Sequence, residues 1–349
     1  MNIKIQRLEP AGAQAWDAYV SKHPHGSPFH LSAWGRTLES TFGFRPENLA
    51  ATGPDGEIAG VLPLYEVDNF MTGRVLISSP FAVYGGILAD SPEVRDAIAR
   101  EARRIGEERG VQYIELRNTD ASQVTSEVTG ATAVDRYVTF TQDVKPMTDE
   151  ELLATVHKKT RNMVRKALKS PFSTRLTGSL DTFYALMCNN YRRLGTPIFP
   201  RSFFETMKTN FGAMVDVREI LVNEDVAAAA FNFLHNGSMH TYYAASSPDF
   251  LNLAPNNYMY FDFLRWAGNN GFHVFDFGRS KKESGTFEFK RHWGTVVREL
   301  PYEVILVRRK DPPNFSPKNP KFEMAISVWQ KLPLFVTNLI GPRLIRLFP

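Results

Sequence analysis

The stretch GFHVFDFGRSKKESGTFEFKRHWG, residues 271–294, decides the fold. Gly271 closes a helical segment near 255–270 and opens the β-rich run FHVFDFGR. Upstream of that helix lie β-rich runs at 215–222, 226–235 and 238–246, the first two joined by the turn Asn223-Glu224-Asp225. The first half follows the same plan. Runs at 48–52, 57–67 and 74–80, with Gly53-Pro54-Asp55-Gly56 as the turn, lead to a helical segment near 92–109, after which Gly110 opens VQYIELRN. Hairpin, strand, helix, glycine and strand therefore occur twice in one order. This predicts an α/β chain made by fused duplication, each copy with its own strands and covering helix.

The chain has 349 residues, room for two domains that each bury a core. The boundary is expected near Lys145-Pro146-Met147, because Thr148 and Glu151 immediately follow with the spacing of a capping box and a helix comes next. Residues 1–146 then form the first copy, 147–310 the second, and 311–349 a basic, apolar tail. Pro333, Gly341 and Pro342 divide that tail into short pieces, suited to packing on the body or resting at a membrane interface.

The helix after the boundary is the most polarised segment. Lys158, Arg161, Arg165 and Lys169 fall within an arc of roughly 80° at helical spacing, while Leu152, Leu153, Val156, Met163, Val164 and Ala167 gather opposite. Four cations on one stripe fit either a solvated face or an anionic partner such as a phosphate, an RNA backbone, a membrane surface or a neighbouring domain's carboxylates. The wider charge balance points the same way. Residues 1–150 carry 14 Lys/Arg against 21 Asp/Glu, and residues 151–349 carry 27 against 16.

A single cysteine, Cys188, excludes an intrachain disulfide and any multi-cysteine metal site, so no metal is expected and a reducing, cytoplasmic setting is favoured. Its apolar helical context FYALMCNNYRR is that of a packed thiol. The start MNIKIQRLEP lacks an apolar signal core, and no uncharged apolar run reaches the length of about 18 residues that a spanning helix needs. Phosphate-loop, dinucleotide-turn, serine-elbow and zincin motifs are absent, which argues against the corresponding enzyme classes.

Candidate chemistry concentrates in 239–294. Asp276 ends a strand, Gly278 turns the chain, and Arg279, Lys281 and Lys282 arrive together. Strand ends are preferred site positions in α/β sheets. Asp276 and Arg279 also fit a plain structural pair tying strand to loop. Phe289, Lys290 and Trp293 set a cation among aromatic residues, where a lysine can stabilise an acyl oxyanion or bind a carboxylate or phosphate.

Taken together, KKTRNMVRKALK, YRRLGTPIFP, YYAASSP, APNNYMYFDFLRWA and FDFGRSKKESGTFEFKRHWG resemble the FemAB family, and look nearest to its branch associated with PEP-CTERM/exosortase and exopolysaccharide loci. The resemblance implies a tandem pair of GNAT-like acyltransferase folds with mixed sheets and covering helices. It also implies acyl or aminoacyl transfer to an amine of a cell-envelope or exopolysaccharide precursor, in the cytoplasm or at the inner face of the membrane. The family's Phe-Lys pair falls on Phe289 and Lys290, with the lysine stabilising the transition state. Its basic helix falls on Lys158, Arg161 and Asn162, expected near the acceptor's phosphates, and its N-terminal Trp-plus-basic segment falls on Trp34 and Arg36. Tyr243 and Trp293 join the expected binding residues.

In the expected mechanism the acceptor amine attacks directly, without an enzyme nucleophile. Lys290 stabilises the oxyanion, Arg279 and Lys281 hold substrate anions, and Asp276 orients Arg279 or accepts a proton. No permanent cofactor is expected. The chain has no long helical-hairpin insertion of the kind some tRNA-using Fem proteins carry, and no [QR]xxGx[GA] pyrophosphate turn, so the donor stays open between aminoacyl-tRNA and acyl-CoA. The expected acceptor is an anionic small molecule or a lipid-linked glycan, with membrane contact through the tail as a further partner. Two rivals remain: an acyl-CoA-dependent N-acyltransferase for an amino sugar or lipid-linked glycan, and a non-catalytic tandem module that binds RNA or membrane.

Overall fold

The computed structural model describes residues 3–313 and 320–349. The chain divides into two compact units, one comprising Met1–Arg136, Glu299–Asn319 and Arg343–Pro349, the other Tyr137–Arg298 and Pro320–Pro342. Of the tail expected over 311–349, residues 314–319 lie outside the described part.

Among the described residues, the first unit carries a four-stranded and a six-stranded sheet. The smaller runs in the order Lys4–Arg7, Leu49–Thr52, Ile58–Leu62, Leu88–Ala89. The larger runs Arg45–Pro46, Leu64–Asn69, Gly73–Ser78, Tyr113–Leu116, Tyr302–Leu306, Thr132–Val134. The run expected as one strand over 57–67 is split at Pro63, whose missing N–H and fixed φ end one strand and let the next enter the other sheet. The helix Pro92–Arg109 is capped by Ser91 at its start and Gly110, at φ +61°, at its end. It lays Val94, Ile98, Ala102 and Ile105 on Leu49, Leu62, Leu76 and Ile114 as the core of this unit. Gly73–Ser78 and Tyr113–Leu116 are parallel, with the helix as their crossover.

The second unit repeats that crossover. A large mixed sheet runs Phe172–Thr177, Val215–Val222, Asp225–His235, Ser238–Ser246, Val274–Asp276, Tyr137–Asp143, Ser280–Lys281. Ser238–Ser246 and Val274–Asp276 are parallel and joined through the helix Pro255–Asn269. This helix is apolar on most sides, and Met259, Phe261, Phe263 and Leu264 pack with Phe140, Phe275, Phe277 and Val164.

Two boundaries differ from the sequence reading, and both for a non-local reason. Tyr137–Asp143 belongs to the second unit because it pairs antiparallel with Val274–Asp276, so that unit begins before the expected 147. Tyr302–Leu306 belongs to the first unit because it inserts between Tyr113–Leu116 and Thr132–Val134. The polarised helix is also two helices. Asp149–Thr155, with the expected Thr148/Glu151 capping box, stops at Val156, and Lys158–Ala167 restarts with His157 Nδ1 accepting from Lys159 N. In the tail, Pro333 separates Pro320–Lys331 from Leu334–Leu344, whereas Gly341 and Pro342 are accommodated inside the second helix.

The inserted strand brings Glu303, 1% exposed, into the first unit. Its carboxylate accepts from Asn118 Nδ2 at 3.1 Å, Thr125 N at 2.9 Å and Thr125 Oγ1 at 3.0 Å. Glu303→Ala strands these buried donors, and we expect a loss of about 3 kcal/mol in urea unfolding, with Glu303→Gln costing less because it keeps an acceptor.

Candidate active site

Both units contain a parallel strand pair that parts, and the two forks are finished differently. In the first unit, pairing runs through Leu76–Ile114 and Ile77–Glu115, and the chain then fills the opening itself. Arg117, 5% exposed, donates from Nη1 to Ser79 O at 3.2 Å and Ala82 O at 2.9 Å, and from Nη2 to Pro349 O at 2.9 Å. Trp34 Nε1 donates to Pro80 O at 3.2 Å, and its ring meets Phe29 edge-on.

In the second unit the last paired residues are His240 and Asp276, both buried, with His240 Nδ1 3.6 Å from Asp276 Oδ2. Gly278 then turns the chain away at φ +72°, its N–H donating to Asp276 Oδ1 at 2.6 Å. A Cβ there would stand 2.9 Å from His240 Nε2, so both the conformation and the space call for glycine. The chain returns as Ser280–Lys281 against Tyr137 and Val138. Ser284 caps the short helix Gly285–Arg291 through Phe287 N. That helix carries Lys290 back to the turn, where Nζ donates to Gly278 O at 3.1 Å and Arg279 O at 3.0 Å and lies 5.9 Å from the Phe140 ring centre. The Arg279 guanidinium sits 4.3 Å over the Tyr137 ring.

Burial dominates the electrostatics. It brings the Lys290 ammonium down to about 8 from its ordinary 10.5, with Asp276 opposing the shift and Arg279 adding to it. Burial likewise lowers His240, again opposed by Asp276 and helped by Lys290, which leaves the imidazole neutral near pH 7. A charged lysine, a neutral histidine and a carboxylate thus share one strand fork.

The structure therefore brings Asp276, Arg279 and Lys290 together. Phe289 packs on Tyr260 and Trp293 at the edge of the core, and Trp293 is fully buried among Tyr260, Phe277 and Phe289, supporting the lysine helix from below. Tyr243 is buried against Phe199, Phe203 and Phe204, and burial raises its hydroxyl well above 10. Lys281 is exposed on its strand. Lys158 and Asn162 are exposed on their helix, as is Arg165, but Lys169 lies past its end. Arg161 turns back, Nη2 donating to Ala154 O at 3.3 Å and Val156 O at 3.1 Å, so it closes the end of the preceding helix. That basic helix is nevertheless anchored to the lysine helix: His157 N donates to His292 O at 2.9 Å and the two imidazoles stack at 4.7 Å. Arg36, in the first unit, is exposed and donates to Ser32 Oγ at 2.8 Å. Cys188 is buried, its thiol pushed up to about 11.

Sequence reasoning missed His240, Tyr137 and the His157–His292 stack. His240 was findable in principle, because a strand–helix–strand crossover pairs the two strands in parallel, yet the register that sets His240 opposite Asp276 is not written locally.

A family model described as an acetyltransferase (GNAT) domain matches residues 154–291, the span holding the second fork. The chain is an acyltransferase with a GNAT domain, and it is similar to FemAB-type transferases. A lipid II:glycine glycyltransferase of Staphylococcus epidermidis is 21% identical over 388 aligned positions, covering 82% of this chain and 89% of that protein. The crystal structure of FemX superposes with a TM-score of 0.70 at 18% identity, covering 87% of this chain and 98% of that one. A tandem GNAT protein from the clavulanic acid pathway superposes with a TM-score of 0.54 at 9% identity, covering 90% of this chain and 100% of that one, in keeping with the duplicated fold.

For this site, titrating Lys290 by NMR of the labelled ammonium should show a pKa near 8, and Asp276→Asn should move it lower still, since a supporting negative charge is lost. Gly278→Ala should cost about 1–3 kcal/mol through its left-handed backbone.

Proposed function

We propose that the chain forms an amide by moving an aminoacyl group onto an amine of a lipid-linked cell-envelope precursor at the cytoplasmic side of the membrane. The observation that carries this is the clamp on Lys290. Two of its three ammonium hydrogens are committed to Gly278 O and Arg279 O, which fixes its direction and leaves one for a substrate oxygen.

The acceptor amine attacks the acyl carbonyl carbon, the C–N bond forms, and the carbonyl electrons move onto oxygen beside Lys290. Collapse expels the donor's ester or thioester oxygen or sulfur. The amine's proton passes to the neutral His240, whose imidazolium Asp276 holds until it gives that proton to the departing oxygen or sulfur, which leaves as alcohol or thiol and returns His240 to its neutral form. No covalent enzyme intermediate is needed, in keeping with the buried, protonated Cys188. Arg279 and Lys281 supply charge for a substrate anion beside the turn. The relatives are named for glycyl transfer, which supports an aminoacyl group as the one moved, and aminoacyl-tRNA rather than acyl-CoA is the donor proposed here. They also favour a lipid-linked glycan as acceptor, and exopolysaccharide precursors of the kind handled beside PEP-CTERM systems are the finer alternative.

Transfer from charged tRNA and from acyl-CoA, each offered with peptidoglycan-type and exopolysaccharide-type precursors, should show product with the tRNA donor, and Lys290→Ala should slow it about 100-fold or more. Equal rates for parent and variant overturn the role of Lys290. The ammonium form of Lys290 and the neutral form of His240 are the active ones, so the rate should hold from neutral pH to about 8 and fall above that as the lysine proton leaves. Lys290→Arg should remove that alkaline limb.

A further inference from the structure

The last part of the second unit shows an inverted surface. The helix Pro320–Lys331 is docked on the end of the helix Asp181–Leu194: Arg192 Nη1 donates to Leu332 O at 3.1 Å, and Gln330 Nε2 donates to Arg193 O at 2.9 Å. Ile326 lies against Gly195, and Trp329 is buried. In the helix Leu334–Leu344, Thr337 and Gly341 face inward, Gly341 against Ile198. The outward positions should then be polar. Instead they hold Met324 at 71% exposure, Val328 at 56%, Phe335 at 73% and Leu339 at 68%, each pair four residues apart, and Leu194 adds 54% beside the docking point.

Cations accompany this face. Lys331 shares the Met324–Val328 stripe, seven residues from Met324, and Arg193, exposed, adjoins Leu194. From Pro320 to Pro342 the sequence carries Lys321 and Lys331 against Glu323 alone.

We propose that this face seats on a bilayer surface rich in anionic headgroups, with Met324, Val328, Phe335 and Leu339 entering the acyl boundary and Lys331 and Arg193 meeting the headgroups. A second copy of the chain suits the face less well, because a twofold contact sets a patch against itself and would oppose Lys331 and Arg193 to their own counterparts. Spanning is not available: the helices of 12 and 11 residues reach about 18 and 17 Å, short of the ~30 Å hydrocarbon core. Among the described residues no helix is long and apolar enough to cross a membrane. The proposal does not depend on the acyl-transfer reading, although a lipid-linked acceptor would be met at the same surface.

The test is flotation of the full chain with vesicles of phosphatidylcholine alone and of phosphatidylcholine with about one third phosphatidylglycerol. The parent should float with the anionic vesicles, less so at high salt, and the double variant Phe335→Asp, Leu339→Asp should lower the bound fraction about tenfold or more. Both positions are exposed, and an unchanged circular dichroism melt checks that the variant is folded. A parent that stays with the soluble fraction overturns the proposal, as does a double variant that binds as well as the parent. A dimer that the double variant converts to monomer, without vesicle binding by the parent, assigns the face to a second copy and also overturns it. Transfer to a lipid-free acceptor fragment should be unchanged in the double variant, so failure of the transfer reading and failure of the membrane reading give different results.

Discussion

A lysine side chain brought back against the backbone it followed a dozen residues earlier holds the second fork in shape. Lys290 reaches Gly278 O and Arg279 O only because Gly278 turns the chain at positive φ and the helix Gly285–Arg291 reverses it. The same contact sets the chemistry. A buried ammonium beside the Phe140 ring loses most of its water, and two carbonyl dipoles together with Asp276 replace part of that solvation. The result is a cation with a fixed direction and a softened proton affinity, which is what stabilising a developing oxyanion asks for.

Comparing the two forks shows how one duplicated plan yields one site. Each places a cation against backbone carbonyls where parallel strands part. In the first unit Arg117 is buried and spends four of its five N–H donors on Ser79 O, Ala82 O, Pro349 O and the Glu115 carboxylate. In the second unit the cation is an ammonium with a hydrogen to spare, and its neighbours are ionisable. Guanidinium suits a permanent structural hub, whereas an ammonium at lowered pKa suits a site that must respond to substrate charge.

Much of this was legible because the signals were local. The strands at 215–222 and 238–246 and the helices beginning at Pro92 and Pro255 came from alternation, capping and glycine stops, which act within a few residues. The convergence of Asp276, Arg279 and Lys290 was also readable, since one turn and one short helix connect them. What escaped the sequence were features set by partners far along the chain: the place of Tyr137–Asp143 in the second sheet, of Tyr302–Leu306 in the first, and of His240 beside Asp276. Periodicity reports which face of a strand is apolar, not which strand lies next to it.

The basic stripe shows the same division within one segment. Lys158, Arg161 and Arg165 were bound to share a helical face by spacing alone, and the family resemblance followed from residues that stand in the sequence. Whether Arg161 faces outward or closes the helix before it, and whether Trp293 meets a substrate or supports the lysine from below, depended on how the helices break and stack. Local chemistry dictates what a segment can be. Only packing, which satisfies carbonyls and fills volume across long chain separations, settled which of those possibilities each side chain fulfils.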